Sequence, residues 1–135
     1  PGAVGTTPAR AVRARSSKSV MGHRQKVLRF RAVNRDIFEA IVGGKKKIET
    51  RAATQRYLNI KVGDVVILVC GKKREEKKVR KVELFKSISA ILKKYKPEEI
   101  NPETLTASEV KKMWYSFSGY REKIKRYGLV ALHLE

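Results

Sequence analysis

Six consecutive apolar residues, Val65-Val66-Ile67-Leu68-Val69-Cys70, constrain the fold of this chain more than any other stretch. The run is short and largely β-branched, so it reads as a strand. Because no polar residue interrupts it, that strand is expected to be covered on both faces. Val62-Gly63-Asp64 is a tight-turn signal ahead of it, and Gly71-Lys72-Lys73-Arg74-Glu75-Glu76 turns the chain after it. Cys70 closes the run as the single cysteine, which excludes an internal disulfide; it reads as a core residue, and no metal cluster is suggested.

The segments around this strand can be assigned from their periodicity. Leu28 to Val33 alternates as a strand with Leu28, Phe30 and Ala32 inward. Asn34 is a suitable N-cap for a helix over 35–42, whose Ile37, Phe38, Ile41 and Val42 form one apolar face and which Gly43-Gly44 ends. A second strand begins near Ile48, and 52–60 reads as a loop anchored by Tyr57 and Leu58. Lys77 to Phe85 alternates with Val79, Val82 and Leu84 inward, and the change of spacing between Val79 and Val82 predicts a bulge. Ser87 caps a helix that Pro97 stops, and Asn101-Pro102 opens a short turn. Thr106-Ala107-Ser108-Glu109 is a capping box, followed by the stripe Val110, Met113, Trp114 and Phe117. A basic segment after Ser118-Gly119 leads to a last strand over 127–135. Five strands with helices between them imply an α+β fold, a small closed or nearly closed barrel with helical flanks.

Charge is the strongest global signal. The chain holds 32 Lys and Arg against 13 Asp and Glu, a net +19. Residues 1–33 carry eight of those cations and no acid, yet 34–135 is still +11. Such a field attracts polyanions, pointing to nucleic acid, nucleotides or an anionic surface; a Lys/Glu-rich surface serving only solubility or thermal stability is the alternative. Residues 1–22 are rich in Gly, Pro, Ala, Ser and Arg without an apolar face, and read as a disordered basic leader or a segment added ahead of a native start at Met21. The domain is placed at 23–135. No apolar run is long enough to span a bilayer, so no membrane partner is expected, and the default setting is a reducing cytoplasm.

The segment Gly44-Lys45-Lys46-Lys47-Ile48-Glu49-Thr50-Arg51 concentrates charges of both signs. On a strand Glu49 and Arg51 share a face. They form either a solvated pair of little consequence or a recognition fork, in which Arg51 offers planar donors and Glu49 orients them.

Taken together, Gly44, Lys46, Glu49 and Arg51 stand in the pattern G-x-K-x-x-E-x-R after the first helix. With the turn Ile60-Lys61-Val62-Gly63-Asp64, the helical insertion after the fourth strand and the closing run from Arg126 to Leu132, the chain resembles the ASCH domain family over roughly 26–135. The resemblance implies a PUA-like β-barrel of five or six strands with flanking helices. It also implies RNA or nucleotide binding in a basic cleft between barrel and first helix. There Lys46 would contact a phosphate or carbonyl, Arg51 would donate in bidentate fashion, and Glu49 would hold or read a base amine. Tyr57, Tyr115 and Tyr120 are candidates for stacking, Gly44 belongs to the signature, and neither metal nor cofactor is implied.

Enzymatic alternatives come from the same resemblance. Some members resemble amidohydrolases acting on acetylated cytidine through the signature lysine, a following threonine and a glutamate from a later strand. Lys46 and Glu83 would be the counterparts, but Lys47 stands where the threonine would be. Others have been proposed to cleave RNA; here His23 precedes the fold and His133 lies in the last strand. A monomer that binds RNA or a nucleotide is the favoured expectation, and a protein-interaction domain is the weakest.

Overall fold

The computed structural model describes residues 25–135; the reading of 1–22 as a leader, and His23, lie outside them. The strands are β1 (Gln25–Phe30), β2 (Ile48–Ala52), β3 (Val65–Cys70), β4 (Lys73–Phe85) and β5 (Leu129–Leu134). They form one curled, half-barrel sheet in the order β1-β3-β4-β5-β2, with β1 parallel to β3 and every other pairing antiparallel. The six helices are α1 (Arg35–Val42), α2 (Gln55–Leu58), α3 (Ile88–Lys94), α4 (Pro97–Ile100), α5 (Ala107–Ser116) and α6 (Tyr120–Tyr127); a 3-10 turn, Ala32–Asn34, precedes α1.

β3 is central to its half of the sheet, and five of its six residues are buried, as an unbroken apolar run requires. The 13-residue β4 pairs with β3 over its first half and with β5 over its second, and the register shift between Val79 and Lys81 is where it bends from one to the other. That bend brings the end strands, β1 and β2, round towards each other without backbone pairing between them.

Two apolar cores lie on opposite faces of the sheet. Leu28, Val66, Leu68, Val130 and Leu132 line the concave side beneath Ile37, Phe38 and Ile41 of α1. Ile48, Ala52, Leu129 and Ala131 face the other way, against Ile91, Ile100, Val110, Trp114 and Ile124 from α3–α6. The Thr106 capping box forms as expected, its hydroxyl accepting from Glu109 N at 3.1 Å, and Trp114 is fully buried. Gly128 joins α6 to β5 at φ +79°, where a Cβ would sit 2.3 Å from the Phe85 carbonyl oxygen, so only glycine fits.

Several local expectations are corrected. The turn after β3 is Gly71-Lys72 alone, because strand pairing resumes at Cys70↔Lys73. Leu84 is 63% exposed rather than inward, since β4 has passed the rim of the concave core there. Ala32 leaves the strand for the 3-10 turn, and Asn34 makes no side-chain cap. α3 ends at Lys94, ahead of Pro97 as expected, and Pro97 in turn begins a further helix, α4, with Asn101 at its end. The basic segment after Gly119 is the helix α6, and 55–58 forms a helical turn within the expected loop.

Candidate functional site

The charged segment takes its shape from both ends. Gly44, at φ +81°, turns the chain out of α1, and Lys46 N donates to Ala40 O at 2.9 Å, tucking the loop back under the helix. Among the described strands β2 then pairs only with β5, Glu49 opposite Leu132 and Arg51 opposite Val130. Both partners belong to the concave core, so Glu49 and Arg51 point to that side at the open edge of the sheet. Thr50 points the other way, where its hydroxyl accepts from Trp114 Nε1 at 3.1 Å and pins β2 to α5.

Lys46 and Glu49, both buried, form one cluster with the half-buried Arg51. Lys46 and Glu49 are 3% and 5% exposed. Lys46 Nζ lies 3.3 Å from one Glu49 oxygen and also donates to Ile48 O, while Arg51 Nε lies 2.8 Å from the other Glu49 oxygen. Arg51 also donates to Tyr57 Oη at 3.1 Å and to Arg29 O at 3.2 Å, the latter reaching across to β1. Its guanidinium carbon is 4.8 Å from the Phe30 ring centre and 5.4 Å from that of Tyr57. Three of its five N–H groups are thus committed and two remain.

Burial depresses the Lys46 pKa, opposed by Glu49 and reinforced by Arg51. Burial would raise that of Glu49, but Lys46 and Arg51 outweigh it and hold the carboxyl below its ordinary value. Burial would lower that of Arg51, but Glu49 above all, then Tyr57 and Tyr120, keep it raised and the guanidinium charged. Glu49 is thus shared between a charged Arg51 and a Lys46 whose charged form burial disfavours.

That cluster forms the floor of a cavity of about 220 Å³ at the gap between β1 and β2. Phe30, Tyr57, Phe117 and Tyr120 supply aromatic walls, and Arg29 and Arg31 stand exposed at the rim. Phe117 and Tyr120 meet edge to face with ring centres 5.2 Å apart. Among the described residues, four basic side chains and a single carboxylate, Glu49, line the space.

Of the residues expected at a site, the structure gathers Lys46, Glu49, Arg51, Tyr57 and Tyr120 around this cavity. Gly44 shapes the entry turn without lining it, and Tyr115 lines a separate groove. Ile37 of α1 lines the cavity, and the α5–α6 connection with Ile100 and Met113 of the insertion walls it as well. Phe30 and Phe117 had read as core positions from periodicity alone. Nothing in their spacing marked them as cavity walls, since the gap they border exists only once β1 and β2 are brought round.

Glu83 is placed elsewhere. It pairs with Ala131, whose side chain belongs to the insertion core, so it projects from the face opposite Glu49. There it binds His133 Nε2 at 2.8 Å, the Tyr95 hydroxyl and Lys94. These bonds outweigh burial and hold its pKa at about 2. Lys47 is exposed, and Thr50 is spent on Trp114. Lys46 and Glu83 are therefore not assembled into one constellation. Among the described residues, no group of three or more His, Cys, Asp or Glu side chains is placed to hold a metal ion.

No family model matches the chain, and no curated protein matches it. Among solved structures it is similar to hypothetical protein PH0355, at 29% identity over 83% of this chain and 98% of that one, with a TM-score of 0.72. It is also similar to protein PF0455 from Pyrococcus furiosus, at 28% identity over 83% of this chain and 96% of that one, with a TM-score of 0.67. These likenesses carry the architecture of a small barrel-like α+β fold. No described helix is long and apolar enough to cross a membrane.

Proposed function

We propose that this chain is an ASCH-like, RNA- or nucleotide-binding protein that takes one base or nucleotide into the cavity between β1 and β2. The observation that carries the reading is the balance of that cavity: four basic side chains against one carboxylate among the described residues, with Lys46 buried and Arg51 largely so. An unmatched buried charge is costly, and an anionic ligand offsets it. The four aromatic walls suit a flat ring system. Glu49 is an acceptor for a base amine, and two Arg51 N–H groups remain for a carbonyl or phosphate oxygen.

Size narrows the ligand. Drug-sized ligands occupy pockets of about 300–1,000 Å³, and the 220 Å³ here admits roughly one ring system. A sugar-phosphate would then lie at the rim beside Arg29 and Arg31. The amidohydrolase reading is weaker, since its carboxylate from the fourth strand lies on the opposite face and the hydroxyl at position 47 is missing.

The test is calorimetric titration with nucleoside 5′-monophosphates and with the bare nucleosides. Binding is expected for the monophosphates, weakened at least tenfold in Phe117→Ala/Tyr120→Ala, with folding checked by circular dichroism. Equal binding by the variant would remove the cavity from consideration. Release of free cytidine from acetylated cytidine, lost in Lys46→Ala, would favour the hydrolase instead.

A further inference from the structure

A second feature of the surface is not used by this reading. Lys86 at the end of β4, Lys111 of α5, and Arg121 and Lys125 of α6 line one open groove of about 600 Å³. Among the described residues, none of these four cations has a carboxylate within ion-pair distance, as holds for most exposed cations of the chain; what sets them apart is that they converge on one groove. Glu122 is the single acid in the lining.

Tyr115 organises the groove. The Arg121 guanidinium carbon sits 4.8 Å from its ring centre and Lys111 Nζ 5.7 Å from it. A guanidinium stacked on a ring is held in place while its N–H edges remain open to an oxyanion, so less freedom is lost on binding. The hydroxyl of Ser89 adds a neutral donor to the same wall.

The groove and the cavity are neighbours in the chain. Tyr120 lines the cavity and Arg121 the groove, so successive residues at the start of α6, with Cα atoms about 3.8 Å apart, face the two sites. We infer that the α3–α5–α6 groove is a phosphate track for a single-stranded nucleic acid whose unpaired base occupies the cavity. The inference rests on the base-binding reading for its second half only. A single strand suits the site because its backbone can bend from rim to groove, and because the groove offers cations and hydroxyls without any base-reading pair of side chains.

The experiment uses the full chain, a fluorescein-labelled single-stranded RNA of about ten nucleotides, and a nucleoside monophosphate. Lys111→Ala/Arg121→Ala/Lys125→Ala is compared with Lys72→Ala/Arg74→Ala/Lys78→Ala, which removes the same charge from the β3–β4 hairpin. The groove triple is expected to weaken RNA binding more than tenfold and to flatten the log–log salt slope by about 2, at roughly 0.7 per phosphate contact on a single strand. Monophosphate binding should be unchanged and the hairpin triple should have a much smaller effect. Equal losses in the two triples would overturn the groove in favour of diffuse charge. Unchanged RNA affinity in the groove triple would overturn it while leaving the cavity intact. Loss confined to the groove triple, with Phe117→Ala/Tyr120→Ala without effect on either ligand, would uphold the track and defeat the cavity reading. Equally tight, triple-sensitive binding of polyglutamate would overturn the assignment to nucleic acid.

Discussion

Glu49 is the residue on which the cluster depends, because it is the anion shared by the buried Lys46 and the half-buried Arg51. Replacing it by Gln keeps the shape and removes the charge, leaving Lys46 and Arg51 facing each other with little water. Breaking a buried ion pair from one side costs about 3–5 kcal/mol, so Glu49→Gln should lower stability by about that much in a urea titration. A loss below about 1 kcal/mol would mean the cluster is wetter than its burial implies. Addition of a monophosphate should recover part of the loss. Glu83 gives a different prediction. Its folded pKa of about 2 lies below the ordinary 4.5, so its ionised form stabilises the native state. That contribution is complete above about pH 4.5 and is lost as pH falls through about 2, at a slope of up to about 1.4 kcal/mol per pH unit. Wild type should therefore exceed Glu83→Gln in stability at pH 6, with the difference closing between pH 4.5 and 2. A difference that stays constant across that range would show that the Lys94, Tyr95 and His133 bonds do not depend on charge.

At the scale of elements, sequence legibility followed how local each signal was. β3 was readable because its apolar run needs no partner to be identified, and α1 because its apolar stripe and Gly-Gly end coincide with the observed bounds. The placement of Glu49 and Arg51 on one face followed from strand periodicity alone. By contrast, α6 has Ile124 as its one buried residue in a run of charges, so its helicity comes from packing onto the insertion rather than from its own pattern. The separation of Glu83 from Lys46 was also illegible, because it depends on β4 pairing with β5 after the bulge and not on any spacing within β4. The α6–β5 junction supports a prediction of its own. Gly128→Ala must move the Phe85 carbonyl that its Cβ would strike at 2.3 Å, in a conformation that alanine rarely adopts. It should destabilise by more than about 2 kcal/mol, whereas Thr106→Ala, removing only a helix cap, should cost about 1 kcal/mol. The reverse order in thermal melts would contradict the packing described for this junction.

For the molecule as a whole, an incompletely closed sheet is what makes a site available. A fully paired barrel would bury β1 and β2 against each other, whereas here the edges meet through the Arg51 side chain at Arg29 O and leave room for a ligand. The local site then operates inside a field set by the total charge, and the two contributions can be separated. Residues 1–24 hold five of the 32 Lys and Arg and none of the 13 Asp and Glu. The described members of both apolar cores are all later residues, so a chain beginning at Gln25 should still fold cooperatively in a thermal melt. If the five cations contact phosphates, removing them should flatten the RNA salt slope by up to about 3.5. Monophosphate affinity should not change, because a small ligand seated at the β1–β2 gap reaches only the cations that line it. A truncated chain that lost monophosphate binding while melting normally would place part of the recognition in residues 1–24, and the cavity would then be only half of the site.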